Sequence, residues 1–122
     1  MKILVADDDL DQLTLRCLLL ERSGFETVSA SDAVTALSIA KAEKPACAVI
    51  DLCFPAAEAG LQLVRDLKAL NTALRIVLLT GARAARVADR PEAELIDEIV
   101  EKGLGSSQLV GRLKALEKLV GE

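Results

Sequence analysis

The sequence predicts an α/β protein in which a doubly wound sheet of five parallel strands lies between two layers of helices, five helices in all, giving a three-layer α/β/α architecture. Short apolar runs alternate along the chain with longer amphipathic segments, as in consecutive βαβ units. Most of these runs are apolar nearly throughout, which is typical of strands covered on both faces. The 122 residues suffice for one such domain and not for two, so we expect a single domain over residues 1–122.

The first βα unit begins with the apolar run at residues 3–6, which predicts strand one. The helix after it ends at Gly24, because Gly favours a helix C-terminus. Its apolar face is formed by Leu13, Cys17 and Leu20. Residues 25–30 predict strand two and open the second unit.

The second helix is predicted to start at Ser31, a favourable N-cap residue, and to extend to Lys44. Pro45 ends it, since the residue before a proline avoids helical geometry. Its apolar positions are Val34, Leu37 and Ile39. The apolar residues 46–50 then predict strand three.

The third helix is predicted after Pro55 and Gly60 and ends at the polar residue Asn71. Its apolar positions recur at helical spacing and are Leu63, Val64, Leu67 and Leu70. Residues 74–79 predict strand four.

The segment before the last helix gives two conflicting signals. Pro91 with two glutamates in the turn after it predicts the start of a fourth helix. Apolar residues continue at helical spacing and are Leu95, Ile96, Ile99 and Val100. We nevertheless predict a strand at residues 98–101, because it is required to bring Lys102 to the sheet edge and tertiary contacts can override a short local preference. A fifth helix over residues 106–120 closes the fold.

The composition excludes several kinds of chemistry and partner. The chain has no His, Trp or Tyr, so it cannot supply a Ser-His-Asp triad, a Cys-His dyad or a His-ligated zinc site. A net charge of −4 and only two Phe residues argue against direct nucleic-acid binding. The pattern contains no signal peptide and no membrane span, and three cysteines without a CxxC pair are typical of a reducing compartment. We therefore expect a cytoplasmic protein.

Polar residues follow the predicted strands at the points where the strands end. They are Asp7 and Asp8 after strand one, Asp51 after strand three, Thr80 after strand four and Lys102 after strand five. In open parallel sheets these ends meet at one edge, where ligands bind. Clustered carboxylates need a cation, or one of them must hold a proton, and a set of oxygen donors favours Mg²⁺. Lys and Thr suit phosphoryl oxygens, and Asp can accept a phosphoryl group covalently, so the residues predict formation of an aspartyl phosphate.

The chain resembles the receiver domain of two-component response regulators in three segments and one lysine. The segments are ILVADDD, AVIDLCFP and VLLTG, and Lys102 follows them at the family's spacing. The resemblance covers nearly all of the chain and implies the flavodoxin-like receiver topology. It also implies a phosphorylation switch, in which Asp51 accepts a phosphoryl group from a partner histidine kinase or histidine phosphotransfer protein and Mg²⁺ is required.

The same resemblance implies a role for each residue of the site. The implied Mg²⁺ ligands are Asp8 directly, Asp7 through water, Asp51, and the backbone carbonyl of Cys53. Thr80 and Lys102 would bind the phosphoryl oxygens. Output would come from rearrangement of the face built by the fourth helix, the fifth strand and the fifth helix. Such a domain is not an enzyme with a separate substrate, although it assists its own phosphorylation and dephosphorylation.

Two departures from the family pattern flank the end of strand five. Ile99 stands at the switch position, where the family usually has an aromatic residue whose rotamer reports phosphorylation. Gly103 stands where the family normally has a proline after its lysine. These departures leave open a second hypothesis, a degenerate receiver-like module that binds a protein partner without phosphorylation.

A third hypothesis is a small phosphatase of the haloacid dehalogenase type, because Asp7 and Asp9 form an Asp-x-Asp pattern after a strand. That class needs an acidic pair after its lysine, and here the sequence offers Glu117 and Glu122. The sequence identifies neither the cognate kinase nor an output domain or downstream protein. It also leaves open whether the chain forms a homodimer.

Overall fold

Five parallel strands form a single sheet in this computed structural model, which describes residues 1–52, 57–81, 87, 90–102 and 106–120. The strands are β1 (Lys2–Ala6), β2 (Glu26–Ala30), β3 (Cys47–Asp51), β4 (Arg75–Thr80) and β5 (Glu98–Glu101). The helices are α1 (Leu10–Arg22), α2 (Ala33–Glu43), α3 (Ala57–Leu70) and α4 (Ser106–Val120). The strand order is β2-β1-β3-β4-β5, with every pair parallel. The predicted fold class is confirmed.

Successive residues of the central strands point to opposite faces of the sheet, and each face is covered by two helices. The face toward α2 and α3 includes Leu4, Ile50 and Leu78. The face toward α1 and α4 includes Ile3, Val49 and Val77. All of these side chains are fully buried. Both faces being apolar explains why the strands lack polar alternation, and it leaves the strand ends as the place for polar chemistry.

The described part of the chain contains four α-helices, one fewer than the sequence predicts. The helix expected to start at Pro91 is a short 3₁₀ helix, Pro91–Leu95. It lacks a side-chain cap at Arg90, and the chain after it turns extended at Ile96. Residues 82–86 and 88–89, where the weakly patterned stretch before Pro91 falls, lie outside the described residues.

The predicted fifth strand is confirmed with the same bounds, Glu98–Glu101, although the local apolar spacing favours a helix. Asp97 supplies the physical reason. Its carboxylate accepts the backbone N–H of Ile76 at 2.8 Å and a hydrogen bond from Arg75 at 3.1 Å, and its own N–H donates to the carbonyl of Ile76 at 2.8 Å. These bonds fix the chain beside the start of β4, and the parallel ladder continues from there.

Two expectations for α2 are corrected. Asp32, and not Ser31, is the N-cap: its carboxylate accepts the N–H of Thr35 at 2.7 Å. Val34, predicted on the apolar face, is 80% exposed, and the fully buried residue of the helix is Ala36. The helix packs on the core through Ala36 together with the partly buried Leu37 and Ile39. The helix ends at Glu43, one residue before the predicted end, and Lys44 is the C-cap in a left-handed conformation with φ 48°.

Gly60 lies inside α3, where the helix passes over the end of β3. A Cβ atom at this position would collide with the backbone carbonyl oxygen of Leu52 and lie 3.1 Å from its carbon. Only glycine permits this approach without displacing the backbone next to Asp51.

Candidate functional site

Asp7 and Asp51 meet at the carboxyl edge of the sheet because β1 and β3 are neighbouring strands. Asp7 directly follows β1 and Asp51 is the last residue of β3. Both are buried, with 1% and 4% of their surface exposed. The Asp51 side chain is close enough to the Asp7 carboxyl group to contribute to the lowering of its pKa. Two buried carboxyl groups this close require compensating cations or a shared proton.

Arg16 of α1 supplies the first cation. Its Nη1 donates to Oδ2 of Asp7 at 2.7 Å, and the backbone N–H of Asp9 donates to Oδ1 at 3.0 Å. Burial raises the pKa of the Asp7 carboxyl group, but these hydrogen bonds and the charge of Arg16 outweigh it, so the pKa lies below its ordinary value. Asp7 is therefore a carboxylate at neutral pH.

Sequence reasoning missed Arg16. The available signal was a cation between Leu15 and Cys17 in a largely apolar helix. A long charged side chain at such a position usually extends to solvent, whereas this one is only 11% exposed.

Lys102 supplies the second cation. Strand β5 pairs with β4 and ends at Glu101, which brings Lys102 to the same edge of the sheet. The Lys102 ammonium donates to Oδ2 of Asp51, and its side chain remains 39% exposed. The strand at residues 98–101 was predicted because it would bring Lys102 to the sheet edge, and Lys102 does reach Asp51 there.

The other predicted site residues differ in burial and in their contacts. Thr80 ends β4 and is fully buried, and its hydroxyl donates to the carbonyl of Gly81 at 3.1 Å. Asp8 is exposed. Ile99 is half-buried on β5 and packs against the core under α2 and α3. Cys53, whose carbonyl is a predicted ligand, lies outside the described residues.

The donor set fits Mg²⁺, although the described residues form no ready-made cage. Within the described ranges, no three side chains of His, Cys, Asp or Glu cluster as a metal site. Mg²⁺ does not need such a cluster, since it commonly binds through one or two carboxylates and keeps several waters. Asp7 and Asp51 are the buried hard donors that would hold it, and exposed Asp8 follows Asp7 in the sequence.

A cavity of about 350 Å³ opens beside the site between α1, the end of β5 and α4. Arg16 and Lys102 both line it, together with Gln12 and Glu101. The two cations that bind the buried carboxylates therefore also face one shared space, large enough for a small anion or a repositioned side chain.

The fold and the site together define a class of protein: a doubly wound α/β domain with an acid pair and a lysine at the carboxyl edge of its sheet. The model of the response regulator receiver domain matches residues 3–114. The chain belongs to this family.

Two curated relatives are similar over much of the chain. The alkaline phosphatase synthesis transcriptional regulatory protein PhoP of Bacillus subtilis is 38% identical over 80 residues, which is 66% of this chain and 33% of that protein. The transcriptional regulatory protein PrrA of Mycobacterium bovis is 32% identical over 117 residues, which is 94% of this chain and 49% of that protein. The chain thus spans half or less of the length of either relative.

Solved structures agree with the fold. A response regulator receiver domain protein from Clostridium thermocellum has a TM-score of 0.83 at 25% identity, covering 98% of both chains. The response regulator TrrA of Thermotoga maritima, solved in complex with Mg²⁺-BeF, has a TM-score of 0.83 at 23% identity, covering 94% of this chain and 97% of that one. In the described part of this chain, no helix combines the length and apolar character needed to cross a membrane.

Proposed function

We propose that this receiver domain is a phosphorylation switch in which Asp51 accepts a phosphoryl group from a histidine kinase or histidine phosphotransfer protein. The observation that carries the proposal is the hydrogen bond from Lys102 to Asp51 beside the buried carboxylate of Asp7. An acceptor in this position has a cation ready for the incoming phosphoryl oxygens. The absence of His from the chain fits a receiving role, since the donor histidine then belongs to the partner.

The proposed transfer balances without another reactant. An oxygen of the Asp51 carboxylate forms a bond to phosphorus as the bond from phosphorus to the donor breaks, and the donor leaves with the electron pair. With a phosphohistidine the leaving atom is an imidazole nitrogen, which then takes a proton from water. Bound Mg²⁺ would reduce the repulsion between the carboxylates and the phosphoryl oxygens.

Each remaining residue of the site has a proposed task. The Lys102 ammonium would move its hydrogen bond from the Asp51 carboxylate to a phosphoryl oxygen. The Thr80 hydroxyl would replace its hydrogen bond to the Gly81 carbonyl with one to a phosphoryl oxygen. Besides Asp51, the proposed Mg²⁺ ligands are Asp8 directly, Asp7 through water, and the Cys53 carbonyl. The domain assists its own phosphorylation and dephosphorylation and is not an enzyme with a separate substrate.

The proposed output is a population shift in the face that contains β5 and α4. Ile99 cannot act as an aromatic reporter there, so its packing against the core would have to carry the change. Because the curated relatives are transcriptional regulators longer than this chain, we propose that an output domain or a downstream protein contacts DNA and this domain does not. Cys17 and Cys47 are free thiols, which fits a cytoplasmic location.

Acetyl phosphate with Mg²⁺ is expected to add one phosphoryl group to the intact protein, detected by mass spectrometry and removed by mild base. Chelation of Mg²⁺ before the donor is added is the matched control and should prevent the adduct. No adduct, together with no Mg²⁺-dependent binding of beryllofluoride, would contradict the switch and favour the phosphorylation-independent binding module.

Lys102→Met is expected to slow phosphorylation by acetyl phosphate about 10²-fold, because a preorganised cation at the developing charge is lost. Time courses of the adduct by intact-mass analysis measure the rate. Lys41→Met, which removes an exposed lysine from the last turn of α2, is the control and should react at the parent rate. A Lys102→Met rate within twofold of the parent would show that Lys102 has no part in the transfer.

A further inference from the structure

Arg16 binds the most buried carboxylate of the site. It lies near the middle of α1, and its guanidinium reaches back to the end of β1, where Nη1 meets Oδ2 of Asp7 at 2.7 Å. The other oxygen of Asp7 accepts the backbone N–H of Asp9. Both oxygens of Asp7 are thus engaged by donors of the chain itself. A metal ion that uses Asp7 must share or displace one of these bonds.

The charges around the site favour competition between Arg16 and a divalent cation. Arg16 pairs with Asp7 and Lys102 pairs with Asp51, so each buried carboxyl group already has one cation beside it. A cluster without Arg16 would attract Mg²⁺ more strongly, because the positive charge at Asp7 opposes a second cation nearby. The Arg16–Asp7 ion pair is largely inaccessible to solvent, so salt screens the repulsion between Arg16 and a nearby Mg²⁺ only weakly.

We propose that Arg16 is a built-in counter-ion that competes with Mg²⁺ for Asp7, weakening metal binding and holding the acidic site together while the metal is absent. The inference rests on the Mg²⁺-dependent acceptor role proposed for Asp51. Arg16 is not one of the polar residues at the strand ends. Its competition with Mg²⁺ sets the Mg²⁺ concentration that phosphorylation requires.

The cavity between α1 and β5 gives the displaced side chain a destination. Arg16 already lines this space of about 350 Å³, and Glu101 is another of the residues that line it. Glu101 is exposed, so pairing with it costs little desolvation. Arg16 can therefore leave Asp7 by rotating its side chain, without movement of α1.

Calorimetric titration with Mg²⁺ alone, at neutral pH and without a phosphodonor, tests the competition. Arg16→Met keeps most of the side-chain volume and removes the charge, and it is expected to bind Mg²⁺ about ten-fold more tightly than the parent, a coupling of ordinary size between two linked ligands. Arg22→Met removes an exposed arginine from the last turn of the same helix and should leave the affinity unchanged.

The outcomes separate this inference from the proposed function. Equal or weaker Mg²⁺ binding by Arg16→Met overturns the competition and leaves the metal site intact, whereas no binding by any of the three proteins overturns both. If Arg16→Met does not fold, the side-chain Nε–H resonance of Arg16, assigned with Arg16→Lys, is followed in the parent during the Mg²⁺ titration. It should shift with the same midpoint as the Asp8 amide, and a stationary resonance overturns the proposal.

Discussion

Replacing Asp51 with Asn is expected to abolish phosphorylation of the chain by acetyl phosphate. The amide has nearly the same shape but is a far poorer nucleophile than the carboxylate, so we expect the rate to fall by at least about 10⁴-fold, as when a covalent nucleophile is removed from an enzyme. Asn at this position also leaves Lys102 without its carboxylate partner in the site. Intact-mass analysis after treatment with acetyl phosphate and Mg²⁺ measures the loss.

Asp11→Asn is the matched control for this experiment. Asp11 is exposed in the first turn of α1, outside the pair of buried carboxylates, and its replacement should leave the adduct unchanged. Calorimetric or spectroscopic unfolding of both variants shows whether they are folded. A base-labile adduct that persists in Asp51→Asn would identify a different nucleophile and contradict the assignment of Asp51.

The phosphatase hypothesis makes the opposite prediction, with Asp7 as the nucleophile. The geometry disfavours it, because Arg16 and Asp9 engage both oxygens of the Asp7 carboxylate. Glu117, one of the two acids that this hypothesis requires near the lysine, instead pairs with the N-terminal ammonium of Met1, at the other end of β1 from Asp7. An adduct retained in Asp51→Asn and lost in Asp7→Asn would revive this hypothesis.

Gly60→Ala is expected to destabilise the domain by about 2–3 kcal/mol, the upper part of the range for overpacking a well-packed site. The added methyl group would meet the carbonyl oxygen of Leu52, which is backbone and cannot rotate away. Either α3 or the segment after β3 must move, and the second movement displaces Asp51. Urea unfolding followed by circular dichroism measures the free energy of unfolding.

Gly111→Ala gives this experiment a control of opposite sign. Gly111 lies in α4, is exposed, and has open space where a Cβ atom would lie. Alanine there should stabilise the domain by about 0.5–1 kcal/mol, because glycine loses more backbone entropy in a helix. A Gly60→Ala domain as stable as the parent would show that the approach of α3 to Leu52 is not a packing constraint.

The strands and the acidic edge were predictable because they depend on local composition. Apolar runs with polar ends locate β1, β3 and β4, and the rule for parallel sheets then brings Asp7 and Asp51 to one edge. Neighbouring parallel strands bring their carboxyl ends together whatever side chains they carry. The functional roles of the site residues remain predictions, since geometry places them without testing their chemistry.

Some features of the structure leave no local signal in the sequence, because they depend on contacts between separate elements; β5 was predicted against its local pattern, and Arg16 was missed. Strand β5 is held extended by Asp97 bonding to Ile76, a partner far away in the chain, and the apolar spacing around it carries no trace of that bond. Arg16 is similar, because its partner is known only once α1 packs against β1. The N-cap of α2 was missed for a different reason. Ser and Asp are both favourable N-cap residues, so the adjacent pair Ser31 and Asp32 does not show which of them caps the helix.

The strand order also determines how copies of this domain can meet. Strands β2 and β5 lie at the two margins of the sheet, where unpaired backbone groups invite another chain to add a strand. Both margins are short and carry glutamates: Glu26 on β2, and Glu98 and Glu101 on β5. Lys2 pairs with Glu26 and Arg112 pairs with Glu98, so these two glutamates already have partners within the domain. Adding a strand from another molecule would bring more acidic side chains to margins that are already acidic, which disfavours growth of the sheet from one molecule into the next.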